Sequence, residues 1–174
     1  MEALVAAMQA PDFPAEPVLL LTNRPDADGL HGLAAQNVPT EVVDHRHFKG
    51  DRAAHEAAML ERLRAAGAEI VCLAGYMRLL TPLLVGAFAG RMLNIHPSLL
   101  PDFPGLRTHE RALAAGVTQH GCTVHVVTEV MDEGPILAQA VVPVLPDDDA
   151  DTLAARVLVQ EHLLYPKALA AFAA

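Results

Sequence analysis

The sequence predicts an α/β domain built on a doubly wound, mostly parallel sheet. Three observations predict it: short continuous apolar runs recur along the chain, segments with helical spacing lie between them, and the connections are short and rich in Gly, Pro, Asn and Asp. Apolar runs without alternation mark strands covered on both faces, and alternating strand and helix signals imply βαβ units.

Taken in order, Met1–Gln9 carries apolar residues at helical spacing and is ended by Pro11 and Pro14. Val18-Leu19-Leu20-Leu21 is the first strand signal, closed by the turn-rich run Thr22–Asp26. Asp28 is placed to cap a helix reaching about Gln36, and Glu41–Asp44 reads as a short strand. Asp51 opens a long amphipathic helix to about Ala66, which Gly67 closes. Ile70–Ala74 is a strand buried on both faces, a short helix starts near Pro82, and Met92–Ile95 is the next strand. Cys122–Thr128 and Pro135–Val144 are strand-like runs, read as additions running against or beyond the parallel sheet. Asp147–Phe172 reads as one long helix capped by Asp149 or Asp151. The chain is expected to form a single domain over residues 1–174, with no internal repeat. A doubly wound fold ordinarily begins with its central strand, whereas a helix signal opens this chain.

Composition narrows the function. The 174 residues are 52% hydrophobic but only 4% aromatic, so Leu, Val, Ala and Ile must build the core. With 12 Lys+Arg against 21 Asp+Glu the net charge is −9, and no basic cluster offers a phosphate backbone a local exception; nucleic-acid binding is not expected. Cys72 and Cys122 lie far apart inside apolar runs, which suits buried small hydrophobes in a reducing compartment better than a disulfide or a CxxC metal pair. No apolar stretch approaches the roughly 20 residues of a membrane span, and the first residues lack a basic n-region. A cytoplasmic location without membrane association is expected.

In open α/β sheets ligands gather beyond the carboxyl ends of the strands. There the chain places Asn94 and His96, two residues apart and therefore on one face of a strand. Such residues also serve ordinary loops. Asp132 sits in an Asp-Glu-Gly run, which is common turn chemistry, yet amide, imidazole and carboxylate together suit acyl-group transfer. Nine histidines invite a metal reading, but none has HExxH or Cys-paired spacing, and no metal is expected; His45 and His47 are the weak candidates. Ser98 lacks a G-x-S-x-G turn, and Asp147–Asp149 reads as a helix-start cluster.

These residues are ordered as in a known family. Asn94-Ile95-His96-Pro97-Ser98-Leu99-Leu100-Pro101, Pro104-Gly105, His120–His125 and Asp132-Glu133-Gly134-Pro135-Ile136 resemble the formyltransferases that use 10-formyltetrahydrofolate, as do Ala74–Arg78 and Gln160–His162. The resemblance runs from Met1 to about Phe172. It implies a Rossmann-like formyltransferase fold and a formyl transfer from 10-formyltetrahydrofolate, a cosubstrate, to the primary amine of glycinamide ribonucleotide in purine biosynthesis. It also implies that Asn94, His96 and Asp132 are catalytic. Arg52, Met77, Arg78, Leu79, Leu80 and Asn94, with Thr128, Glu129, Val130, Met131 and Asp132, then line the folate site. Leu158, Val159, Gln160 and Glu161 contact the ribonucleotide, and the Leu100–Pro101 bond is cis. The partners are small molecules, with the protein a monomer or homodimer. Against the family pattern, the first strand and its Gly-x-Gly-Ser-Asn phosphate loop are expected to be missing ahead of Met1. Arg107 stands where histidine is expected, leaving a phosphate contact or a surface position open. Other folate-dependent hydrolases, sugar formyltransferases and a non-catalytic folate-binding fragment are the alternatives.

Overall fold

The computed structural model describes residues 1–27 and 37–174. The expected helix from Asp28 to Gln36 lies outside the described residues. Along the rest, the elements are α1 (Glu2–Met8), β1 (Leu20–Thr22), β2 (Thr40–Val42), α2 (Arg52–Ala65), β3 (Val71–Leu73), α3 (Pro82–Ala87), β4 (Met92–His96), α4 (Thr108–Ala114), β5 (Gln119–Val126), β6 (Ile136–Pro143) and α5 (Ala150–Ala173). A 3-10 turn at His45–Phe48 stands where the sequence suggests a surface loop, and α4 carries no clear sequence signal.

The caps explain several boundaries. The Asp51 carboxylate accepts from the Ala54 N–H and starts α2. Asp149 and Thr152 form a reciprocal capping box that starts α5, which decides between the two expected caps. The cap of α3 is made by two elements. Thr81 accepts from the Leu83 N–H, while buried Glu56 of α2 accepts from both the Thr81 N–H at 2.7 Å and its hydroxyl at 2.6 Å.

β1 and β2 pair in parallel, and β3, β4, β5 and β6 form a second sheet in that order. The β3–β4 pairing is parallel, whereas β4–β5 and β5–β6 are antiparallel. The α/β class is as expected, with the pairings divided evenly between the two senses. The added strands run against the sheet, as the final third of the sequence suggests. A cavity of about 1020 Å³ lies between the two sheets, walled by Leu19–Leu21, Ile70–Ala74 and residues of α1. Its apolar walls leave β1 and β3 only half-buried.

β4 is deeply buried where it begins. Met92 and Leu93 are both fully buried although they point to opposite faces. Met92 packs with Met59, Leu63, Leu84 and Phe88 on the α2/α3 side. Leu93 packs with Leu4, Val124, Tyr165 and Leu169 on the α1/α5 side. The Tyr165 hydroxyl bridges the Leu73 and Leu93 carbonyls at 2.9 and 3.1 Å, tying α5 to neighbouring strands.

Gly121 in β5 lies so close to β6 that a Cβ there would stand 1.9 Å from the Ala140 carbonyl oxygen. Gly121→Ala should therefore part β5 from β6 and cost at least about 1–3 kcal/mol, the usual range for overpacking. Denaturant unfolding measures this; a loss under about 0.5 kcal/mol, the scatter of neutral surface changes, would show that the pair relaxes freely.

Candidate functional site

β4 delivers Asn94 and His96 to one face, and its antiparallel register with β5 sets Asn94 opposite His125 and His96 opposite Thr123. The His125 Nδ1 lies 3.1 Å from the Val126 carbonyl, so that nitrogen carries the hydrogen. Its Nε2 is then an acceptor, and the Asn94 amide donates to it at 3.3 Å. One amide N–H of Asn94 is thereby held and the other remains available.

Asp132 joins the pair from the loop between β5 and β6. Its Oδ2 lies 3.5 Å from His96 Nδ1 and its Oδ1 3.7 Å from His125 Nε2. The Gly105 N–H donates to Oδ2 at 2.8 Å. His96 Nε2 donates to the Phe103 carbonyl at 3.0 Å, so an imidazolium at this position would face an oxygen acceptor on each nitrogen. The side chains of His96, His125 and Asp132 are 6%, 3% and 8% exposed, a degree of burial that strengthens their mutual interactions. The turn reading of Asp132 holds as well, because its φ is +58°. The turn is pressed close by Gly134, where a Cβ would stand 1.6 Å from the Val126 carbonyl oxygen. Only glycine allows that approach, and the approach aims Asp132 at the two rings.

The three residues singled out by their spacing are thus brought together, and three loops surround them. Met77 is 76% exposed, and Leu79, Leu106, Val130 and Met131 are exposed large apolar residues on the loops after β3, after β4 and after β5. An apolar rim over a buried polar cluster is the general form of a small-molecule site. Arg78, Leu80, Thr128 and Glu129 lie in the same loops.

Other predicted positions fall elsewhere. Arg52 is the exposed first residue of α2, and Leu158–Glu161 lie midway along α5. Among the described residues, neither is joined to the trio by a hydrogen bond or ion pair. Burial raises the Glu161 pKa, partly countered by the amino terminus of Met1 nearby. Arg107 is an exposed residue paired with Glu110. Ser98 donates to the Asp102 carbonyl at 2.6 Å, a loop brace. Asp148 pairs with Arg156, and the aspartate cluster starts a helix as read. Among the described residues no group of three or more His, Cys, Asp or Glu is arranged to hold a metal ion. The Leu100–Pro101 bond is cis.

The sequence reading does not single out His125, nor the Phe103 carbonyl and the Gly105 N–H. His125 shares the two-residue alternation of β5 with Thr123, but only the β4–β5 register shows that it faces Asn94.

The sequence profile of the formyl transferase family matches residues 1–169. The chain belongs to this family. Phosphoribosylglycinamide formyltransferase of Escherichia coli strain K12 is 38% identical over 99% of this chain and 81% of its own length. The trifunctional purine biosynthetic protein adenosine-3 of Drosophila melanogaster is 42% identical over 98% of the chain, which spans only 13% of that protein. The crystal structure of phosphoribosylglycinamide formyltransferase from Brucella melitensis is 56% identical, with a TM-score of 0.95, over all of this chain and 89% of that one. Formyl transferase membership thus accords with the resemblance carried by the Asn-Ile-His-Pro and Asp-Glu-Gly motifs.

Two further histidines adjoin the site. Burial, then the charges of His109 and His96, push the His120 pKa down to about 4. In the unfolded chain an imidazole titrates near 6.5, so the unfolded state takes up a proton first as pH falls. The stability contribution is complete above pH 6.5 and drains away towards pH 4, by at most about 3 kcal/mol at 1.36 kcal/mol per unit. Denaturant unfolding across this window should show a shallower pH slope in His120→Gln than in the parent protein; equal slopes would show that His120 is solvated.

Proposed function

We propose that this chain transfers a formyl group from 10-formyltetrahydrofolate to the primary amine of glycinamide ribonucleotide, as one formyltransferase domain over residues 1–174. The observation that carries the reading is the cluster of half-buried Asn94 with the buried side chains of His96 and Asp132, beside an exposed apolar rim. Its support is the family membership and the names of the similar proteins.

In this reading the pterin end of the folate lies against the loops of Met77–Leu80 and Thr128–Asp132. The amine nitrogen attacks the formyl carbon and the carbonyl oxygen becomes an oxyanion. The free N–H of Asn94 donates to that charge, and the protonated ring of His96, with its two nitrogens facing Phe103 and Asp132, stabilises it through its positive charge; groups fixed in advance do this at little reorganisation cost. Asp132 holds His96 and receives, directly or through water, the proton that the amine loses, and that proton passes on to N10 of the folate as the carbon–nitrogen bond breaks, leaving Asp132 ionised again. Arg52 is assigned to the anionic part of the folate, and Leu158–Glu161 to the ribonucleotide, with the Glu161 carboxylate on ribose hydroxyls.

Mass spectrometry of the amine product after mixing protein, 10-formyltetrahydrofolate and glycinamide ribonucleotide tests the assignment. Formate release without a formylated amine would identify a hydrolase, and folate binding without turnover a binding protein.

Asp132→Asn should keep folate affinity nearly intact and slow turnover at least about a hundredfold, the loss expected of a positioned proton acceptor. Turnover within threefold of the parent would remove Asp132 from the chemistry.

Asn94→Ala should cost about 2.7–4 kcal/mol of transition-state stabilisation if its amide meets the oxyanion. His96→Ala should cost a similar amount, and the double variant far less than the sum, because the two groups act on one charge. Fully additive losses in a double-mutant cycle would assign them separate tasks.

A further inference from the structure

His120 is 1% exposed, and the proposed chemistry gives it no part. Its Nε2 lies 3.2 Å from Nδ1 of His109, and its other ring nitrogen donates to the carbonyl of Pro97. The Phe103 and His120 rings meet in a T-shaped arrangement with centroids 6.0 Å apart, and the Arg111 guanidinium of α4 lies over the Phe103 ring at 5.7 Å. These contacts converge on one stretch of chain, from Pro97 to Leu106.

That stretch touches both halves of the catalytic pair, since the Phe103 carbonyl accepts from His96 Nε2 and the Gly105 N–H donates to Asp132. It is also held against its own preference. Phe103 has φ +51°, and Arg107, just beyond the stretch, has φ +57°, left-handed values for residues other than glycine. Such conformations cost about 1–3 kcal/mol and persist only where surrounding contacts over-determine them. β5 is the rigid side, because it is paired with β6 at His120 and also with β4 from Thr123 onward.

We propose that the His120–His109 pair positions His96: it anchors the Pro97–Leu106 segment to β5 and so fixes the Phe103 carbonyl that orients the His96 ring. His120 is a positioning residue, acting only through Phe103. The arrangement requires neutral His120, which donates to Pro97 through one nitrogen and accepts from the His109 Nδ1–H through the other. A second proton would set two N–H groups against each other. Burial keeps that proton off near neutral pH.

The kinetic part of this inference rests on the formyl-transfer reading; the ring orientation of His96 does not. The test compares His120→Leu, which removes both polar contacts, with His120→Gln, whose amide both donates and accepts. His109→Phe is a milder variant on the partly exposed surface of α4, useful should His120→Leu not fold. Long-range 1H–15N spectra of the histidine rings report the Nε2–H tautomer of His96, and steady-state kinetics report kcat and KM. In the parent protein the His96 Nε2–H is expected as a hydrogen-bonded, slowly exchanging signal. In His120→Leu that signal should shift or vanish, and kcat should fall about ten- to a hundredfold, as for a displaced catalytic group, with KM within about twofold. His120→Gln should recover most of both losses, and His109→Phe should move both readouts in the same direction by less. An unchanged His96 signal in a folded His120→Leu or His109→Phe protein would overturn the proposal, as would failure of glutamine to rescue. A shifted signal in a protein without formyl transfer would sustain the positioning role and refute the reaction instead.

Discussion

β4 is fastened along both edges, in parallel to β3 and antiparallel to β5, and the site depends on that double attachment. The parallel edge fixes its depth in the core, where Met92 and Leu93 are sealed on opposite faces. The antiparallel edge fixes its register. A slip of one residue would turn Asn94 and His96 to the other face and bring different side chains opposite them. Core packing thus sets the chemical geometry, because moving either polar residue would mean withdrawing a buried methionine and leucine from their places.

Burial then shapes the electrostatics. Three histidines in and beside the site, His109, His120 and His125, have lowered pKa values, and desolvation is the leading cause in each. The charges of neighbouring imidazoles add to it, while Asp132 pulls in the opposite direction at His125. A site with several rings and one carboxylate therefore resists accumulating positive charge. His125 remains an acceptor for Asn94, and His120 remains an acceptor for His109. The hydrogen-bond direction of the whole cluster follows from which rings are kept neutral.

The elements that read clearly from sequence were those with their own local signal. The Val-Cys-Leu and Met-Leu-Asn-Ile runs became β3 and β4, Asp51 capped α2, and Asp149 capped the long last helix. Pro166 lies inside that helix without ending it, because tertiary packing around Tyr165 and Leu169 outweighs the lost N–H. The trio was legible because two of its members share a strand and the third sits in a recognisable turn. His125, the Phe103 carbonyl and the Gly105 N–H were not, since each acquires its role from a pairing across more than twenty residues or from a backbone group that no side chain announces. α4 was missed for a related reason. Its N-cap residue Arg107 offers no side-chain cap, and the helix is only seven residues long.

The carboxylate of Glu56, clamped on Thr81, has a consequence for the mobility of the binding rim. The loop carrying Met77 and Leu79 leaves β3 through Gly75, at φ +66°, and ends on that clamp. One end can swivel while the other is bolted to the middle of α2. Two charge-assisted bonds in a dry environment make release of that end costly. Under the proposed function, a flat folate ring would therefore meet a loop with much of its backbone freedom already surrendered. Little ordering entropy is left to subtract from the affinity, and the exposed methionine and leucine act as a stiff ledge.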